Sequence, residues 1–160
     1  MKHLGNTIGD MLSEKMKAEV IASAVNEGDV YRMCLDEREG IIGKNGAESR
    51  NKYFVIIGHD SDGNALGFFV IDTEINRNLP EIRKQKHLRI ESSKYEFLNG
   101  TDRYVDCSDF KIISKHRFVE LFSSDKAKAK ISSDDIEKIK HEAITYRNAN
   151  RKMLKRFGLL

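Results

Sequence analysis

Gly46–Asn76 reads GAESRNKYFVIIGHDSDGNALGFFVIDTEIN, and its pattern decides the fold. Two runs dominated by Val, Ile, Phe and Tyr, from Tyr53 to Ile57 and from Leu66 to Ile71, flank His59-Asp60-Ser61-Asp62-Gly63-Asn64, a stretch of turn formers. Such runs favour a pleated, half-buried surface, and a turn-rich gap between them predicts a β-hairpin. Folding the hairpin makes Ser49-Arg50 and Asp72-Thr73 neighbours although more than twenty residues separate them, so its open end is a candidate site. Asp60, Asp62 and Asn64 imitate the opening of a calcium loop. The sixth and twelfth positions of that motif, which require Gly and Glu, are here Ala65 and Ile71, so the segment is read as a turn.

Upstream of the hairpin, Leu12, Met16, Val20 and Ala24 recur at helical spacing and predict a helix from about Asp10 to Val25, closed by Asn26-Glu27-Gly28. A strand follows from Asp29 to Leu35. The loop from Asp36 to Ser49 carries Gly40, Gly43 and Gly46, a spacing that matches neither the Walker nor the dinucleotide fingerprint. Downstream, Pro80 marks a loop and Glu81 to Lys86 a single helical turn. Short strands are predicted at His87 to Ile90, Arg103 to Cys107 and Phe110 to Ile113, with Tyr95 to Leu98 an apolar segment before the Asn99-Gly100 turn. Short strands spaced by turns, without crossover helices, predict a small antiparallel barrel or a strongly bent sheet rather than a parallel sheet. The C-terminal third turns helical: one short helix around Phe118, a charged linker over 123–130, and a helix capped by Ser132 whose apolar face is Ile136, Ile139, Ala143 and Ile144. Arg147 to Leu160 carries five cations and no acid, with Met153, Leu154 and Phe157 as its apolar side, a basic amphipathic end suited to nucleic acid or an acidic partner.

The chain therefore divides into an N-terminal helical extension (1–27), a barrel domain with its helix (28–146) and a basic helical tail (147–160). Its 160 residues are 39% hydrophobic and 33% charged, with a net charge of +3, which permits a polyanionic partner without demanding one. Cys34 and Cys107 are distant and form no C-x-x-C, so they read as reduced thiols of a cytoplasmic protein; no metal framework is visible and no cofactor is implied. Nowhere do about eighteen apolar residues run together, so no membrane partner is expected.

The succession GDVYRMCLD, a glycine-bearing loop, ESRNKYFVIIG, a turn, GFFVIDTEIN, RYVDCSDFKIISKHRF and ISSDDIEKIKHEAI resembles the MazF/PemK-like toxins of bacterial toxin–antitoxin systems over about Gly28 to Ile144. The resemblance implies an SH3-like barrel, mainly β within an α+β chain, flanked here by an N-terminal helix and C-terminal helices. It implies a metal-independent endoribonuclease acting on single-stranded RNA, a homodimer, and an antitoxin as partner. Arg50 takes the family's catalytic arginine position and Thr73 the Ser/Thr position at the end of the following strand. The sequence departs from the family at Asn51, where Pro is typical, and at Arg103, where a small polar residue is common. For holding RNA, the candidates are Arg38, Lys44, Ser49, Lys52, Tyr53 and Arg77, cations and an aromatic of the kind that grips single strands. Two alternatives stay open: cleavage by His59 with His87 or His116, and a non-catalytic module that holds RNA or a protein.

Overall fold

A computed structural model describes residues 16, 19–42, 49–122 and 127–160. Met16 and residues 19–23 are helical, within the segment expected to form the N-terminal helix; Ala24 and Val25 lie past its end, and 10–15, 17–18 and Lys44 lie outside the described residues. Among the described residues, seven strands follow: β1 (Asp29–Asp36), β2 (Ser49–His59), β3 (Ala65–Asp72), β4 (His87–Ile90), β5 (Arg103–Asp106), β6 (Lys111–Ser114) and β7 (Ala129–Lys130). Four α-helices of these residues join them: α1 (Glu81–Lys84), α2 (Lys115–Leu121), α3 (Ser133–Thr145) and α4 (Arg151–Arg156). The strands form one antiparallel sheet in the order β4-β5-β3-β2-β1-β7, with β6 also on β3. The sheet curls into a half-barrel, the barrel-like α+β architecture expected from the sequence. Among the described residues, no helix is long and apolar enough to cross a membrane.

The curl has a local cause. One edge of β3 is shared end to end by two strands: β6 pairs with Ala65 to Phe68, and β5 with Ile71 and Asp72. A register shift between Ile56 and Gly58 bends β2 at the same level, as an extra residue in a ladder does. At Gly58 and Gly67 a side chain would collide with the segment after α4: an added Cβ would lie 2.9 Å from the Phe157 carbonyl oxygen at the first and 2.9 Å from Phe157 Cδ1 at the second. The bare backbone of the hairpin is thus what lets the chain's end lie on the sheet.

Both faces of the sheet are covered, which explains why β3 is buried along nearly its whole length instead of alternating. On one face Val55, Ile57, Phe69 and Ile71 meet Ile136, Ile139 and Ala143 of α3, and Leu154, Phe157 and Leu159 from the last turns of the chain. On the other, Phe54, Ile56, Leu66, Phe68 and Val70 meet Tyr31, Met33 and Leu35 of β1, Ile113 of β6 and Phe118 of α2. The apolar side of the basic C-terminal segment is therefore packed into the main core. The helix caps follow the sequence: Ser132 Oγ accepts from the Asp135 amide, and Ser114 Oγ from that of Arg117.

The hairpin turn is a turn held by its own side chains. Asp60 accepts from the Asp62 amide at 2.7 Å and from Arg156 Nη2 at 2.5 Å, and Gly63 takes the left-handed conformation (φ 74°) that a residue with a Cβ resists. The Arg156 guanidinium holds the Asp60 carboxyl below the usual carboxylate range. Both carboxylate oxygens of Asp60, the first a calcium loop would offer, are thus already committed.

Candidate functional site

Strand alternation builds the site. Successive side chains of β2 point to opposite faces, so Arg50 and Lys52 lie on the side of Phe54 and Ile56, and Tyr53 on that of Val55 and Ile57. The hairpin register, in which Tyr53 faces Ile71, brings Lys52 opposite Asp72 at the end of β3. Their side chains meet, Lys52 Nζ to Asp72 Oδ1 at 2.7 Å. The apolar face stops at Val70 and Ile41, and beyond it opens a cavity of about 800 Å³. Arg50, Lys52, Asp72, Thr73 and Arg77 all line it.

The far wall is built by β4 and β5. Asp72 pairs with Tyr104, and Asp106, two residues further along β5, stands on the same face and directly across from His87. Asp72, His87 and Asp106 thus gather from three strands, with a ligand atom of each within 4.8 Å of the others. His87 is nearly sealed, its side chain 1% exposed, with Nδ1 2.9 Å from the Arg83 carbonyl oxygen and Nε2 3.6 Å from Asp106 Oδ1. Arg83 lies 3.2 Å from Asp106 Oδ2, and Ser108 donates to Asp106 Oδ1 through its amide and its hydroxyl. Lys111 closes the rim, 3.0 Å from Asp109 and 3.1 Å from the Gly40 carbonyl oxygen.

Among the described residues, five cations and four carboxylates line the cavity, so its electrostatics depend on which cations are already committed. Lys52, Arg83 and Lys111 each hold an acid. Among the described residues, Arg50 and Arg77 have no hydrogen-bond or ion-pair partner, although both line the cavity. The acid that would most simply neutralise Arg50, Asp72, is taken by Lys52, and Glu48 lies outside the described residues. Two uncommitted guanidinium groups on one concave surface favour an anion with several oxygens, because the planar fork matches a phosphate or carboxylate.

The chain matches no protein-family model and no curated protein.

Of the residues singled out by sequence, Arg50, Thr73, Lys52 and Arg77 are brought together by this cavity. Three others are not. Arg38 is exposed and forked onto Asp36, 2.7 Å from its Oδ2, and this hydrogen bonding draws the Asp36 carboxyl down to about 2. Ser49 is exposed at the start of β2, across from Asp36. Tyr53 faces the other core, where its ring meets Phe97 at 5.4 Å and the guanidinium groups of Arg103 and Arg32 at 5.1 and 5.6 Å. The paired-histidine option finds no pair: His59 Nε2 lies 2.8 Å from the Val25 carbonyl oxygen, and His116 is 85% exposed beside Glu120, leaving His87 as the histidine that lines the cavity. Sequence reasoning missed Asp106 and named His87 only as a partner for His59, not as a neighbour of Asp72. Their signal was the alternation within Arg103-Tyr-Val-Asp106 and His87-Leu-Arg-Ile90, which puts each on a polar face; what the alternation could not show is that the two faces meet.

Proposed function

We propose that this cavity binds and cleaves the sugar–phosphate backbone of single-stranded RNA, as in the MazF/PemK-like toxins, with Arg50 and Thr73 at the scissile phosphate. One observation carries the reading: the two ends of the hairpin line one cavity, and among the described residues the Arg50 guanidinium there has no acid on it. In such a reaction the ribose 2′-oxygen bonds to the adjacent phosphorus, the bond from phosphorus to the 5′-oxygen breaks, the 2′-hydroxyl gives up its proton and the leaving oxygen gains one. No protein nucleophile or metal is needed. What the protein must supply is charge and hydrogen bonds where the five-coordinate phosphorus develops negative charge. Arg50 supplies a planar pair of donors to the nonbridging oxygens and Thr73 a hydroxyl donor beside it, while Arg77 sits where a neighbouring phosphate of an extended strand would pass. A homodimer and an antitoxin partner belong to the same proposal and rest on the resemblance alone; a cytoplasmic setting belongs to it as well and rests on the two distant cysteines.

Incubating the protein with mixed-sequence RNA in EDTA tests it. Fragments ending in a 2′,3′-cyclic phosphate, absent with Arg50→Ala and sharply reduced with Thr73→Ala, are the expected result. RNA retained intact by wild type and variants alike would replace the nuclease with a non-catalytic module.

A further inference from the structure

We propose that Asp72, His87 and Asp106 form a binding site for a divalent transition-metal ion of the zinc type, in the wall of the same cavity. The first argument is spacing. Two ligands that share a tetrahedral zinc at about 2.0–2.1 Å stand roughly 3.3–3.5 Å apart. His87 Nε2 and Asp106 Oδ1 are already 3.6 Å apart, and Asp72 offers a carboxylate oxygen within 4.8 Å of a ligand atom of each of the other two residues.

The second argument is independent of the carboxylates and concerns the imidazole. A carbonyl oxygen only accepts, so the 2.9 Å contact to Arg83 places a proton on Nδ1, which makes Nε2 the nitrogen that would ligate a metal. That nitrogen belongs to a side chain only 1% exposed, faces two carboxylates, and at 3.6 Å is beyond hydrogen-bond reach of the nearer one. Metal-binding histidines characteristically donate their other ring N–H to a backbone carbonyl or a carboxylate, as His87 does.

The surroundings orient both carboxylates. Lys52 takes Oδ1 of Asp72 and leaves Oδ2; Ser108 gives Asp106 Oδ1 two hydrogen bonds through its amide and hydroxyl, and Arg83 gives Oδ2 one, so the lone pair left for a metal on Asp106 is on Oδ2. One imidazole and two carboxylates, with a fourth position opening on the cavity, suit zinc over magnesium, which prefers oxygen ligands throughout and keeps its water.

The test is calorimetric titration of Zn²⁺, and separately Mg²⁺, into the full chain carrying Cys34→Ser, which removes the exposed thiol. One zinc per chain is expected, with no saturable magnesium binding at the same concentrations. His87→Gln and Asp72→Asn should each weaken zinc binding at least tenfold, while Glu74→Gln, which alters a cavity carboxylate outside the cluster, should change it less than threefold. A urea midpoint measured for each variant separates loss of the site from loss of the fold, and Asp72→Asn, at the strand end, keeps the test available if His87→Gln unfolds. Absence of saturable zinc binding overturns the proposal, as does equal affinity in wild type, His87→Gln and Asp72→Asn. Because binding is read without RNA, and cleavage is read in EDTA, either claim can fail while the other stands.

Discussion

Phe157→Ala tests whether the basic C-terminal segment is part of the molecule's core. Phe157 is 4% exposed, its ring centroid lies 5.2 Å from that of Phe110, and its Cδ1 occupies the space an added Cβ on Gly67 would approach to 2.9 Å. Removing a fully buried phenylalanine side chain costs about 3–5 kcal/mol. Partial settling of the neighbouring side chains into the gap puts the expected cost at the lower end, about 3 kcal/mol. For a chain of this length each kcal/mol moves the melting temperature by roughly 2–4 °C, giving a fall of roughly 6–12 °C. The assay is urea unfolding followed by circular dichroism, with an unchanged slope and a lower midpoint. Arg151→Ala, on an exposed position of the same helix, should stay within about 0.5 kcal/mol of wild type. A Phe157→Ala midpoint equal to that of wild type would refute the reasoning, since it would mean the segment contributes nothing to the fold.

Two further outcomes follow from the same packing. Burial pushes the Cys107 thiol well above its ordinary value and the neighbouring Asp106 charge adds to this, whereas Cys34 is exposed, so a maleimide should label one thiol rapidly in the native protein and the second only in urea. Burial of Asp135 favours its neutral form, but hydrogen bonds from the Tyr95 hydroxyl at 2.5 Å and the Lys94 ammonium at 3.1 Å outweigh it and hold the carboxyl below its ordinary value. Its stabilisation is therefore complete above the unfolded-state value near pH 4 and fades as the pH falls through the lower folded value. Asp135→Asn should cost about 2 kcal/mol at pH 7 and progressively less below pH 4, read by urea midpoints across that range; a cost independent of pH would remove the carboxylate from the explanation.

The hairpin was legible because all its determinants are local: two β-branched and aromatic runs, a turn with Asp60 and Gly63, and ends brought together by pairing alone. The Ser132 cap was legible for the same reason. β7, two residues long, was not, because Ala129 and Lys130 become a strand only through pairing with Val30 and Asp29. Half of the site shows the same division. Arg50, Lys52 and Thr73 follow from the hairpin, and strict alternation already argued against grouping Tyr53 with Lys52, since consecutive strand residues face opposite ways. His87 and Asp106 depend on β4 and β5 lying beside the end of β3, a strand order set by packing between segments far apart in sequence. The buried side of 147–160 was equally hidden: Met153, Leu154 and Phe157 make an apolar stripe, and nothing local says what covers it.

The central claim is that Arg50 stabilises charge at a cleaved phosphate, and its most direct measurement is the single-turnover cleavage rate of RNA in EDTA for wild type, Arg50→Ala and Lys138→Ala. Losing one preorganised donor to a developing anion costs about 2.7–4 kcal/mol, so Arg50→Ala should be at least a hundredfold slower with its urea midpoint unchanged. Lys138→Ala, on the exposed side of α3, removes the same charge without touching the cavity and should cleave at the wild-type rate. Equal rates for wild type and Arg50→Ala, or no cleavage by either, would contradict the account.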